Sequence, residues 1–129
     1  MTANGNRQII TIADPAALAT AAAERVMNRI AANSGRVAIC LTGGSGPKQL
    51  YQLLATDAYR SRIPWERVHW FIGDERNVPA DDPLNNMAMA RATFLDRCAP
   101  ASNIHPIPTA TACCRSWSTR CASSATPTR

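Results

Sequence analysis

A glycine-rich turn followed by a lysine is the first feature of the chain that suggests chemistry. Gly43, Gly44, Ser45 and Gly46 follow an apolar segment, and Lys48 comes just after them. Glycines let the backbone approach a ligand closely, and the N–H groups and dipole of a helix start favour an anion. The serine hydroxyl and the lysine charge add to this preference, so the turn predicts phosphate binding. A tight strand-to-helix turn without a ligand is the alternative, and the spacing matches neither a P-loop nor a GxGxxG loop.

A second cluster, Asp74, Glu75 and Arg76, follows another apolar segment. The planar guanidinium of Arg76 can hold a phosphate or carboxylate through paired hydrogen bonds, and Asp74 can orient a polar group. A salt-bridged loop without a ligand is the alternative interpretation. Ligands of open α/β sheets bind beyond the carboxyl ends of the strands. Two ligand-suited loops at neighbouring strand ends therefore favour a binding site.

Alternating strands and helices are predicted to position these two loops. Helix starts are indicated at Asp14-Pro15, as N-cap and first helical residue, and at Pro47. A third helix is predicted from about 86 to 97, and strands over 8–12, 36–42, 67–72 and 104–107. The nearly continuous apolar run 36–42 is typical of a strand buried on both faces. The alternation predicts an α/β fold with an open, mostly parallel, Rossmann-like sheet and flanking helices.

Other side chains are interpreted as structural. The first helix carries its apolar stripe at Leu18, Ala22, Val26 and Ile30, with Ala19, Ala23 and Met27 beside it; the second turns Leu50, Leu53 and Leu54 inward; the third turns Met87, Ala90, Phe94 and Leu95 inward, with Asn85 as N-cap. Core positions are assigned to Cys40, Cys98, Trp65 and Trp70, and packed or edge positions to His69 and His105. No CxxC pair is present, so no metal site is expected.

Composition and patterning place limits on the class of protein. The chain has 129 residues, 46% hydrophobic and 18% charged, which fits a soluble globular protein. It shows no apolar run long enough for a membrane span and no signal peptide, so a cytoplasmic protein is expected.

Periodicity stops after Thr109, so residues 1–109 are predicted to form the domain. Residues 110–129 are predicted to be an aberrant or disordered tail, with a translated frameshift as the favoured explanation. This tail supplies +3 of the net charge of +5, and no basic cluster interleaves with aromatic residues, so nucleic-acid binding is not expected.

The two loops resemble those of the glucosamine-6-phosphate isomerase/6-phosphogluconolactonase family. The family's Gly-Gly-Ser-Thr-Pro loop with its following Lys and Tyr corresponds to Gly43, Gly44, Ser45, Pro47, Lys48 and Tyr51, with Gly46 in place of Thr. A second family pattern corresponds to Trp65, Val68, Phe71, Gly73, Asp74, Glu75, Arg76, Val78 and Pro79, and a third to Asp82 and Asn86, with Asn85 replacing Ser. The resemblance covers about residues 8–109. The Asp-Glu-Arg sequence favours the lactonase branch, because the deaminase branch has Asp-Glu-Tyr.

This resemblance implies hydrolysis of 6-phosphoglucono-1,5-lactone to 6-phosphogluconate in the oxidative pentose phosphate pathway. It implies a small sugar phosphate as the ligand and no metal or organic cofactor. Phosphosugar binding is carried over to Gly43, Gly44, Ser45, Lys48, Arg76 and Asn86, and a supporting catalytic role to Asp74.

The family's general base is a histidine in a Gly-x-Asp-Gly-His-Thr-Ala-Ser motif that this chain lacks. The sheet is therefore expected to be incomplete on its C-terminal side, with an open apolar edge, and the chain alone to be inactive and marginally folded. Two alternatives remain open. One is a non-catalytic phosphosugar-binding module, and the other is a glucosamine-6-phosphate deaminase-like isomerase.

Overall fold

The computed structural model describes residues 8–109, and the predicted tail 110–129 lies outside them. Its sheet has three strands, β1 (Val37–Leu41), β2 (Val68–Ile72) and β3 (Ile104–His105), arranged in that order. Both neighbouring pairs are parallel. The predicted α/β class with an open parallel sheet is thus confirmed, and the strands that precede the two candidate loops lie side by side.

Five α-helical segments connect and cover these strands. They are α1 (Pro15–Ala31), α2 (Lys48–Leu54), α3 (Asp57–Arg60), α4 (Asn86–Ala90) and α5 (Asp96–Cys98), with a π-helical turn (Arg91–Leu95) joining the last two and 3₁₀ turns at Trp65–Arg67 and Ala101–Asn103. The predicted start of α1 is confirmed, since the Asp14 carboxylate accepts from Ala17 N at 2.8 Å and proline occupies the first turn.

The hydrophobic core lies between one face of the sheet and the helices. Trp70 of β2 meets the ring of Phe94 edge-on, with centroids 5.2 Å apart, and Tyr51 of α2 stacks on the same ring. The inward face predicted for the helix over 86–97 is confirmed, because Met87, Ala90, Phe94 and Leu95 are all buried. In α1 the buried residues are Ala19, Ala23, Met27 and Ile30, so the predicted inward position of Ile30 is confirmed. The rest of the predicted stripe was displaced by one position, and Leu18 is 55% exposed.

The strand predicted over residues 8–12 was wrong. These residues form no strand, and Ile9 is 90% exposed. An apolar β-branched run indicates a local preference, but a strand also needs a neighbour with which to share hydrogen bonds. Ile10 and Ile12 instead line a shallow pocket against Leu18 and Ala22 of α1.

The prediction that strand 36–42 is buried on both faces was also wrong. In β1, Val37 and Leu41 are buried, whereas Ala38 and Cys40 are exposed, so Cys40 is not the core residue expected. The burial alternates because the described helices cover only one face of the sheet. We call the uncovered side, which carries Ala38, Cys40, His69 and Phe71, the open face. The predicted strand 104–107 shortens to Ile104–His105, because Pro106 has no N–H to donate to a neighbouring strand.

Candidate functional site

The turn after β1 is held by the hydroxyl of a tyrosine one helical turn into α2. Tyr51 Oη accepts from Thr42 N at 3.0 Å and donates to Thr42 O at 2.7 Å. Burial raises the pKa of this hydroxyl above its ordinary value, so it remains a donor at neutral pH. Both polar backbone groups of the residue that enters the glycine-rich turn are therefore satisfied by one side chain.

Glycine is required in this turn for a different reason at each of two positions. Gly44 has a φ of 94°, a conformation that other residues adopt only with strain. Gly43 has no such angle, but a Cβ built on it would overlap the side-chain amide of Asn86. Gly46 has nothing within 4 Å of a built Cβ. Conformational freedom is therefore required at Gly44, and close approach at Gly43.

Asn86 links the two candidate loops. Its side chain lies against the Cα of Gly43, and its Nδ2 donates to Asp74 O at 3.1 Å. The residue is the first of α4 and is buried. The predicted N-cap of this helix is confirmed, since Asn85 Oδ1 accepts from Ala88 N at 2.8 Å. Loops that follow β1 and β2 are thus joined through one buried amide.

A pocket of about 270 Å³ opens between these loops. Its lining consists of Gly44, Ser45, Lys48, Arg76, Pro83, Leu84, Asn85, Asn86 and Met89. Five of the residues predicted to bind substrate are in this set: Gly44, Ser45, Lys48, Arg76 and Asn86. Gly43 and Asp74 do not line the pocket, but both contact Asn86. Sequence reasoning missed Pro83, Leu84 and Met89, which carry no chemical signature. Pro83 and Leu84 reach the pocket through the path of the loop, and Met89 reaches it from α4.

Lys48 and Arg76 are the two cations of this pocket. Both are exposed, and the ion pairs found within residues 8–109 join Arg62 to Glu24 and Arg91 to Asp96. In this part of the chain Arg76 forms no ion pair with the neighbouring acids, contrary to the salt-bridged alternative. Two cations at one opening, neither of them in an ion pair with the described residues, attract an anion from solution.

The histidines lie on the open face of the sheet. His69 Nδ1 and His105 Nε2 are 2.9 Å apart, and neither residue lines the pocket. Loss of hydration lowers the pKa of His69, with the nearby Arg36 and His105 charges acting in the same direction. Their predicted role as packed or edge residues agrees with this placement. Across residues 8–109, no three His, Cys, Asp or Glu side chains gather as a possible metal site.

Comparison with known proteins shows which family the chain resembles. A model of the glucosamine-6-phosphate isomerases/6-phosphogluconolactonase family matches residues 13–126. A 6-phosphogluconolactonase of Synechocystis sp. is 49% identical over 82 residues, which are 63% of this chain and 32% of the relative. The solved 6-phosphogluconolactonase from Trypanosoma cruzi matches with a TM-score of 0.73 and 33% identity, over 84% of this chain and 41% of that one. A monomeric glucosamine-6-phosphate deaminase matches with a TM-score of 0.68 at 17% identity, over 91% and 51%, which is a likeness of fold alone.

These matches confirm the family resemblance carried by the two loops and the fold class predicted from the alternation of strands and helices. The chain spans about a third of the length of the curated relatives it matches, 32% and 30% for two of them. The family match also runs past residue 109, so the predicted division there stays a prediction. Within the described range, every helix is too short or too polar to cross a membrane.

Proposed function

The chain belongs to the glucosamine-6-phosphate isomerase/6-phosphogluconolactonase family, and from this premise we propose that it carries the phosphate-binding side of a 6-phosphogluconolactonase site. The observation that supports the proposal most is the pocket in which Lys48 and Arg76 meet without an acidic partner among the described residues. A phosphomonoester carries nearly two negative charges at neutral pH and accepts several hydrogen bonds. Ser45 and the amide of Asn86 supply further polar contacts beside the two cations.

The reaction of the complete site is proposed to be hydrolysis of 6-phosphoglucono-1,5-lactone. Water attacks the lactone carbonyl while a general base removes one of its protons, which gives a tetrahedral oxyanion. The oxyanion re-forms the carbonyl as the ring ester bond breaks, and the departing ring oxygen takes the proton back from the base and becomes a hydroxyl. The resulting carboxylic acid then ionises to the carboxylate. Lys48 and Arg76 anchor the phosphate end of the sugar. Asp74 is proposed to orient the substrate or the base; the hydrogen bond from Asn86 to its backbone carbonyl, which ties it to a residue of the pocket, supports this role.

Binding without turnover is the second candidate function, and the lining of the pocket favours it for this chain. Neither His69 nor His105 lines the pocket, and the two histidines contact each other on the open face. A histidine must lie within hydrogen-bond reach of the attacking water to act as its base. The described residues therefore provide groups for the phosphate but no histidine for the carbonyl.

Binding is tested by calorimetry with 6-phosphogluconate on the purified chain, with gluconate as the control that lacks the phosphate. We expect binding of the phosphorylated acid alone. Lys48→Met and Arg76→Met are each expected to weaken binding about tenfold or more, as loss of a charge-assisted contact predicts. Arg25→Met, which removes an exposed cation from α1, serves as the matched control and should change little. Equal binding of the two acids, or equal effects of all three variants, would contradict the phosphate site.

Turnover is tested separately, by following hydrolysis of the phosphorylated lactone against its spontaneous rate. The pocket lining leads us to expect no acceleration by the 129-residue chain. Acceleration would show that a residue of this chain acts as the base, and the binding-only function would then be rejected.

A further inference from the structure

The carboxylate of Glu75 is surrounded by backbone N–H donors. Its Oε1 accepts from Arg76 N at 2.9 Å and from Asn86 N at 2.6 Å, and its Oε2 accepts from Met87 N at 2.9 Å. Hydrogen bonds to an ionised acceptor are roughly twice as strong as those between neutral groups. Glu75 is partly buried and does not line the pocket. Both of its oxygens are thus engaged by the protein's own backbone.

These bonds complete the N-terminus of α4. The first N–H groups of a helix have no partner within the helix. Here Asn86 N and Met87 N donate to Glu75, and Ala88 N donates to Asn85 Oδ1. The negative carboxylate also complements the positive end of the helix dipole. Because side chains occupy these three backbone donors, an anion in the pocket takes its contacts from Lys48, Arg76, the first loop and the side-chain amide of Asn86.

The same carboxylate closes the loop of residues 76–85. It joins Arg76, the first residue of this loop, to Asn86, the first residue of α4. The loop supplies one wall of the pocket through Pro83, Leu84 and Asn85. The closure also fixes the position of Asn86, whose side-chain amide lies close against Gly43. The Glu75 side chain, which lies outside the pocket, therefore fixes the backbone of Arg76, the loop that forms one wall of the pocket, and Asn86, which joins the two loops.

We infer that Glu75 is a positioning residue for the pocket, which holds Arg76 and Asn86 in place by binding the backbone around them. The inference rests on the proposed function, since it concerns how that site is held together. It assigns Glu75 neither to proton transfer nor to substrate contact.

The test is Glu75→Gln, because a purely electrostatic role and a positioning role predict opposite changes in the affinity for 6-phosphogluconate. Removing a negative charge near an anion site should strengthen binding of 6-phosphogluconate if charge alone matters. If Glu75 positions the loop, its loss of acceptors should weaken binding by about tenfold, the equivalent of one or two hydrogen bonds. Glu75→Asp keeps the charge but is one methylene shorter, so it should also bind more weakly than the parent. Glu66→Gln, an exposed acid on the 3₁₀ turn before β2, is the matched control and should bind like the parent.

Amide hydrogen exchange supplies the readout that separates loop closure from general destabilisation. In Glu75→Gln, the amides of Asn86 and Met87 should exchange at least about tenfold faster while those of β2 stay protected. Circular dichroism checks folding, and Glu75→Asp takes the place of the glutamine variant if the latter is unfolded. Unchanged or tighter binding by Glu75→Gln, or weaker binding with Asn86 and Met87 still protected, overturns the inference. Failure of the parent to bind 6-phosphogluconate overturns the proposed function itself, and with it the inference.

Discussion

Replacing Gly43 by alanine should destabilise the fold through one contact. A Cβ at this position would lie 2.6 Å from Asn86 Nδ2 and still closer to the rest of the amide. Asn86 is only 5% exposed, and its Nδ2 donates to Asp74 O, so the amide cannot move without breaking that bond. Since the φ of Gly43 is not positive, alanine carries no conformational penalty there, and the whole cost comes from the overlap.

The magnitude follows from two contributions. Inserting a methyl group into a packed site typically costs about 1–3 kcal/mol. Loss of the bond from Asn86 to Asp74 O adds about 1 kcal/mol. We therefore expect Gly43→Ala to lower the free energy of unfolding by about 2–4 kcal/mol, a large share of the roughly 5–15 kcal/mol of an ordinary domain.

Urea unfolding of a double-mutant cycle is the assay. Asn86→Ala removes the obstructing amide, so Gly43→Ala should cost less than about 1 kcal/mol in that background, a coupling well above the 0.3–0.5 kcal/mol or so of additive sites. Gly44→Ala is the control, because its cost of about 1–2 kcal/mol arises from the positive φ and should be the same with or without Asn86. Equal costs of Gly43→Ala in both backgrounds would refute the steric argument.

Three further predictions concern the loop and the open face. Gly46→Thr should raise the free energy of unfolding by about 0.5 kcal/mol, because the site is open, its φ is not positive and the unfolded chain loses freedom; a loss in urea unfolding would contradict this. Tyr51→Phe should cost about 1–3 kcal/mol and weaken 6-phosphogluconate binding, since both polar groups of Thr42 lose their partner; calorimetry showing parental affinity would argue against the role of the hydroxyl. Because the pKa of His69 is lowered from 6.5 in the folded chain, the unfolded state binds its proton first, so stability should fall as pH drops below about 6.5. His69→Val should reduce the loss of stability between pH 7.5 and pH 5.5, measured by unfolding at both values. An equal loss in the variant and the parent would show that His69 is not its cause.

Local signals were sufficient for the parts of the fold that depend on neighbours in sequence. The N-caps Asp14 and Asn85 were predictable because a short polar side chain before an apolar periodic run satisfies the same N–H groups in any protein. The buried face with Phe94 was predictable from helical spacing alone. That Lys48 and Arg76 line the same pocket was also predictable, since the carboxyl ends of adjacent parallel strands lie at one edge of a sheet.

Features that depend on contacts with residues distant in sequence were not predictable. Residues 8–12 have the composition of a strand, but no local signal shows that none of the described strands pairs with them. Cys40 stands in an apolar run, yet the described helices leave its side of the sheet uncovered. The wall formed by Pro83 and Leu84 depends on the path of a loop, which the backbone bonds of Glu75 set from outside it.

The adjacent acids Asp74 and Glu75 show why residue type alone could not divide the chemistry between them. Both follow β2, and both are carboxylates that precede Arg76 without lining the pocket themselves. Glu75 has both oxygens bound by backbone donors, so it has little capacity left for a substrate or a water molecule. The carboxylate of Asp74 is exposed and accepts no hydrogen bond from the described residues; only its backbone carbonyl is engaged, by Asn86. A group can orient a ligand only through unfilled acceptor sites. We therefore propose Asp74, and not Glu75, for the supporting role, and we expect that neutralising Asp74 changes how a substrate is held while the loop stays closed.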